Sequence, residues 1–78
     1  MPGEKAFVFI TAELGKERQV LENLKNLVGV KESYMTFGLY DIVSLVETEG
    51  ANLATKGITE TIRKLPGVRL TITMMIVQ

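Results

Sequence analysis

The sequence predicts an α+β domain in which a four-stranded antiparallel sheet carries two helices on one face, in the order β-α-β-β-α-β. Two observations predict it. Short runs rich in β-branched and aromatic residues alternate with two stretches of helical period. The chain repeats itself: Leu27-Val28-Gly29-Val30 returns as Leu65-Pro66-Gly67-Val68, at an offset of 38 residues (67 − 29). Each half therefore reads strand, helix, return strand, and two such halves with right-handed crossovers give the split βαβ arrangement called ferredoxin-like.

Ala6 to Ala12 is the first strand, with Phe7, Val8, Phe9 and Ile10 in an unbroken apolar run. A run that does not alternate with polar residues expects cover on both faces. From Lys16 to Val28 the period changes: Val20, Leu21, Leu24, Leu27 and Val28 fall on one helical face. Gly15 is placed to open this helix and Gly29 to close it in a left-handed cap. The second strand is expected over Val30 to Phe37, with Val30, Glu32, Tyr34 and Thr36 on one face and Lys31, Ser33, Met35 and Phe37 on the other. Asp41 to Glu47 is the third strand, and Gly38 between the two is a hairpin residue. Glu49-Gly50-Ala51 breaks that strand, and Asn52 is placed as N-cap of a second helix over Leu53 to Leu65. Its apolar stripe is Ala54, Ile58, Ile62 and Leu65, with Thr61 at the edge. Gly57 inside it costs roughly 1 kcal/mol of propensity, for which close packing on the sheet would be the reason. Pro66-Gly67 ends the helix. Val68 to Val77 is the fourth strand: Leu70, Ile72, Met74 and Ile76 face one way, Thr71, Thr73, Met75 and Val77 the other.

The 78 residues suffice for one domain, 1–78, with one core. At 46% hydrophobic content the chain is globular rather than disordered. It has no cysteine, so no disulfide staples it, which fits an intracellular protein. A domain this small then looks to oligomerisation for stability. Met75 and Val77 on a second strand face, with a first strand apolar on both sides, predict a homodimer joined sheet against sheet.

Composition also narrows the chemistry. Nine basic and nine acidic residues balance, which disfavours direct nucleic-acid binding. No signal peptide or bilayer-length apolar run is visible, so the default location is cytoplasmic. Without histidine or cysteine, the commonest general base, zinc ligand and thiolate nucleophile are missing. Ser33 and Ser44 are the only serines, and neither lies in a nucleophile elbow. No catalytic residue, metal site or cofactor is expected.

A chain of this order and length, with Gly29-Val30 after the first helix, Gly38-Leu39-Tyr40-Asp41 at the central turn and Leu65-Pro66-Gly67-Val68 after the second helix, resembles the effector domain of the Lrp/AsnC family, also called RAM, for regulation of amino-acid metabolism. The resemblance runs from about Lys5 to Val77. Full-length members carry a helix-turn-helix domain ahead of this unit. Here the first strand begins within ten residues of Met1, so the chain resembles a stand-alone, ACT-like ligand-binding and oligomerisation module. The resemblance implies a dimer through the sheet faces, assembly of dimers into a ring of octamer or decamer size, and an amino-acid effector bound between dimers near the central turn. Position by position this points to Gly38, Leu39, Tyr40 and Asp41, with Thr36 and Ser33 beside them. The family often has threonine before the glycine and a polar or acidic residue after it; here Phe37 and Leu39 stand there.

A free amino acid asks for an acceptor for its ammonium and donors for its carboxylate. Asp41 can supply the first, the amides around Gly38 and Leu39 the second, and Tyr40 a hydroxyl and an apolar wall. Each residue also has a purely structural reading: Gly38 makes the turn, Asp41 caps hairpin amides, Tyr40 packs at an interface. The expected function is amino-acid sensing and assembly in transcription regulation, as an effector-binding ring or in association with a full-length Lrp-like regulator. The alternative is an enzyme of the dimeric α/β-barrel, monooxygenase-like type, which shares the fold.

Overall fold

The structure, a computed structural model, describes residues 3–48 and 55–77. Six elements follow in the expected order: β1 (Lys5–Ala12), α1 (Glu17–Lys25), β2 (Val30–Met35), β3 (Ile42–Glu47), α2 (Thr55–Arg63) and β4 (Val68–Ile76). The expected break at Glu49-Gly50-Ala51, the Asn52 cap and Ala54 lie outside the described residues. The strands form one sheet in the order β2-β3-β1-β4, and every neighbouring pair is antiparallel.

Period two along the central strands sorts the two sheet faces. Ala6, Val8, Ile10 and Ala12 of β1 are buried, as are Ile42, Ser44 and Val46 of β3. Of these, Val8, Ile10, Ala12, Ile42 and Val46 meet Val20, Leu21 and Leu24 of α1 and Ile58 and Ile62 of α2 in one core. Each buried valine, leucine or isoleucine among them stabilises the fold by roughly 1.5–3 kcal/mol before entropy is counted. The polar members of this layer are bonded: Ser44 shares a 2.8 Å hydrogen bond with Ser33, and the Thr48 hydroxyl accepts one from the Glu4 amide.

The internal repeat is physical as well as textual. After each helix the chain makes the same turn, closed by Val30 N–H on the Leu27 carbonyl and by Val68 N–H on the Leu65 carbonyl, both at 3.3 Å. Gly29 and Gly67 sit third in these turns at φ 95° and 89°, the type II position that suits glycine. Each turn then pins the next edge strand to a central one: Gly29 O accepts from Glu47 N, and Gly67 O from Glu13 N. One residue later each edge strand bulges. Lys31 is skipped between the pairs Val30–Val46 and Glu32–Leu45, and Arg69 between Val68–Ala12 and Leu70–Thr11.

Several expectations are corrected by the structure. The left-handed glycine is not the cap of α1: that helix ends at Asn26, in right-handed conformation, and tightens through Leu27 N–H on Leu24 O. Val28 thus leaves the helix and stands exposed. Val30 does not share a face with Glu32 and Tyr34, because the bulge at Lys31 shifts the phase by one residue. On β4 the uncovered face is the opposite of the one expected: Met75 pairs with Ala6 on the helix side, while Leu70, Ile72 and Met74 pair with Thr11, Phe9 and Phe7 on the other. Gly57 is not a close-packing glycine either, since a Cβ there would meet nothing within 4 Å.

Candidate functional site

The chain between β2 and β3 is held at its base and open at its tip. Thr36 N–H donates to Asp41 O at 2.8 Å, and the Thr36 hydroxyl donates to Tyr40 O at 2.7 Å. Asp41 then anchors the hairpin to β1 from both ends of the residue. Its N–H donates to Ile10 O at 2.9 Å, and its Oδ2 accepts from Ala12 N–H at 2.8 Å. These bonds satisfy the last amide and carbonyl of the central strand where its own ladder stops. Tyr40 lays its ring against Phe9, centroids 5.5 Å apart and planes tilted by 45°, within the range of a favourable aromatic pair.

Beyond this base, Phe37 is 107% exposed and Leu39 90%. Gly38 between them has φ 151°, an angle open chiefly to glycine. Among the described residues, no protein oxygen accepts from the N–H of Phe37, Gly38, Leu39 or Tyr40. The tip therefore offers a run of unpaired amides within a few residues of a carboxylate. Amide donors suit an anionic group and the carboxylate a cationic one.

The structure gathers Thr36, Gly38, Leu39, Tyr40 and Asp41 into this one turn. Ser33 is not part of it: it lies on β2, on the helix side of the sheet, bonded to Ser44. The backbone of Ile10 and Ala12 and the ring of Phe9, which residue type alone does not mark, complete the base of the turn. Only the register of β1 against β3 brings them there.

On the sheet face away from the helices, Phe7, Tyr34, Leu70, Ile72 and Met74 are exposed, with Phe9, Val43 and Leu45 half-buried between them. Tyr40 borders this surface through Phe9. Tyr34 donates its hydroxyl to Glu32 Oε1 at 2.9 Å. That bond, and the negative charge of Glu32, hold the phenol above its usual pKa of 10.0. Among the described residues, no cluster of three or more acidic side chains could hold a metal ion, and no helix is long and apolar enough to cross a membrane.

No family model and no curated protein matches the chain. Solved structures do. It is similar to FFRP-DM1, at 39% identity and a TM-score of 0.84, over 95% of this chain and 99% of that one. It is similar to the hypothetical protein PHS023 from Pyrococcus horikoshii, at 39% identity and a TM-score of 0.83, over 96% and 90%. The fold recurs in AsnC from E. coli, at 22% identity and a TM-score of 0.82, where 96% of this chain spans 51% of that one. It recurs again in the transcriptional regulator NMB0573 from Neisseria meningitidis, solved as a complex with L-Met, at 13% identity and a TM-score of 0.78, over 96% and 50%.

Proposed function

Since the chain belongs to the Lrp/AsnC family and matches its effector (RAM) domain over nearly the whole length, we propose that it is a single amino-acid-sensing and assembly domain, with the β2–β3 turn as its ligand contact. The observation that carries this reading is the turn itself, where unpaired amides at Phe37 to Tyr40 adjoin the Asp41 carboxylate. An α-amino acid carries the complementary pair of charges. Its carboxylate would accept from the tip amides, and its ammonium would approach the Asp41 oxygen that does not hold Ala12. The L-Met complex of a regulator with the same fold supports an amino acid as ligand class.

The apolar outer face supports a homodimer formed through the sheet. The turn lies at one end of that face, so assembled dimers, in an octamer or decamer, would bring turns of different copies together and enclose a ligand. A full-length Lrp-like regulator is the proposed macromolecular partner, and no nucleic-acid contact is assigned to this chain. The monooxygenase-like alternative has less support, because the space between helices and sheet is filled by Val8, Ile10, Val20, Leu24, Ile42 and Ile62.

Calorimetric titration with each of the twenty amino acids tests the reading. The expected result is saturable binding of one or a few of them, abolished by Asp41→Ala. If none binds or shifts the melting temperature, amino-acid sensing is wrong.

A further inference from the structure

The repeat builds two equivalent clefts, one in each half of the molecule. The first lies between the end of α1 and β2 and is lined by Lys25, Val30, Lys31, Glu32, Ser33 and Tyr34, with a volume of about 360 Å³. The second lies between the end of α2 and β4 and is lined by Arg63, Val68, Arg69, Leu70 and Thr71, with a volume of about 310 Å³. Every residue of the second stands 38 positions after one of the first (63 − 25, 71 − 33). Each cleft thus has a basic residue from the last turn of a helix, a basic residue from a bulge, and a strand hydroxyl.

Ordinary structural roles explain what the two clefts share. A cation in the last helical turn complements the helix dipole, and a charged bulge guards an edge strand against pairing with another chain. They do not explain how the clefts differ. In the second, both lysines have become arginines, and Glu32 has become Leu70. The first cleft holds its own counter-charge, with Glu32 bonded to Tyr34. The second has no carboxylate in its lining. Arg63 donates from Nε to the Thr71 hydroxyl at 3.2 Å, which fixes the guanidinium beside the cleft and leaves its terminal amino groups available. Among the described residues neither Arg63 nor Arg69 forms an ion pair. Exchange of lysine for arginine at both positions replaces point charges by planar forks that grip an oxyanion with two parallel hydrogen bonds.

We propose that the α2–β4 cleft is a binding site for a small oxyanion, a phosphate or carboxylate group, held by Arg63 and Arg69. The proposal does not rest on the amino-acid reading of the β2–β3 turn.

The test is an NMR titration of the whole ¹⁵N-labelled chain with sodium phosphate and, separately, sodium acetate, at an ionic strength held constant with chloride. Saturable shifts at Arg63 and Val68 to Thr71, with none of comparable size at Lys25 and Val30 to Ser33, are expected. Response to phosphate alone, acetate alone or both supports the site and identifies its ligand chemistry. Arg69→Gln, or Arg63→Gln as a second variant, should weaken binding at least tenfold, while Lys31→Gln leaves it unchanged. Both arginines are exposed, so an otherwise unaltered spectrum verifies that the variants fold. The proposal is overturned if neither anion gives saturable shifts beyond chloride, if both clefts respond alike, or if both arginine variants titrate as the wild type.

Discussion

Asp41 carries two demands on one carboxylate. Oδ2 holds the Ala12 amide, a structural task, and the proposed ligand ammonium needs the remaining capacity. The two are separable by substitution. Asp41→Asn keeps an oxygen able to accept from Ala12 but loses the charge, whereas Asp41→Ala loses both. Denaturant unfolding should show Asp41→Ala destabilised by about 1–2 kcal/mol, the cost of a part-buried amide left unpaired, and Asp41→Asn by clearly less. Amino-acid binding should fall with both. Equal stability of all three proteins would mean that the Ala12 bond contributes nothing. A second residue-scale prediction concerns Tyr34. Its phenol is raised by Glu32, so Glu32→Gln should lower its titration midpoint, read by ultraviolet absorbance. A raised pKa means that the folded state favours the protonated phenol. The contribution is therefore complete below the ordinary value of 10.0 and is lost as pH climbs through the raised one. Tyr34 is exposed on the outer sheet face, so the shift should shrink as salt is added.

At the scale of elements, the glycine of each post-helix turn fixes where an edge strand begins. Gly67→Ala would bring a Cβ to 2.9 Å from Lys16 Cβ and 3.1 Å from Val20 Cγ2, in a left-handed conformation. Gly29→Ala meets mainly Ile58 Cδ1, at 2.5 Å, the far end of a side chain that can swing away. Both should lower stability by more than about 1 kcal/mol from backbone strain alone. Gly67→Ala should be the worse, because Lys16 Cβ cannot move without its helix; thermal unfolding of the two variants checks the order. These turns also show why the fold was legible in the sequence while its finer placement was not. Leu-Val-Gly-Val and Leu-Pro-Gly-Val announce a repeated unit, and periods of two and near four give the elements. A bulge leaves no trace in a pattern of apolar residues, yet each one flips the phase of its strand. That is why Val30 lies on the opposite face from Glu32 and Tyr34. The covered side of β4 differs from the expectation for a related reason: Leu70, Ile72 and Met74 belong to the outer surface, and only the pairing with Thr11, Phe9 and Phe7 reveals it. At the turn, residue types point to Thr36 and Gly38 to Asp41, but the bond from Ala12 depends on the register of β1 against β3, which one sequence does not encode locally.

For the whole molecule the open question is what covers the outer sheet face. Phe7, Tyr34, Leu70, Ile72 and Met74 are between 39% and 57% exposed there, and a chain without cysteine has no disulfide to offset that loss. A second copy, face to face, would remove them from water with both sheets presenting the same surface. Alternation along β4 supplies a test with its own control. Ile72 points to the outer face and Thr73, its neighbour, to the helix face, and both are exposed in the single chain. Ile72→Glu places a charge in the proposed interface, where its desolvation is uncompensated, and Thr73→Glu places the same charge outside it. Sedimentation of the wild type and of Thr73→Glu should give a particle of at least twice the chain mass, and Ile72→Glu a monomer. Melting should follow suit, because a fold stabilised by association melts higher as protein concentration rises, and that dependence should vanish in Ile72→Glu alone. A wild-type monomer at micromolar concentration would remove the dimer, and with it the enclosure of the turn on which ligand binding between copies depends.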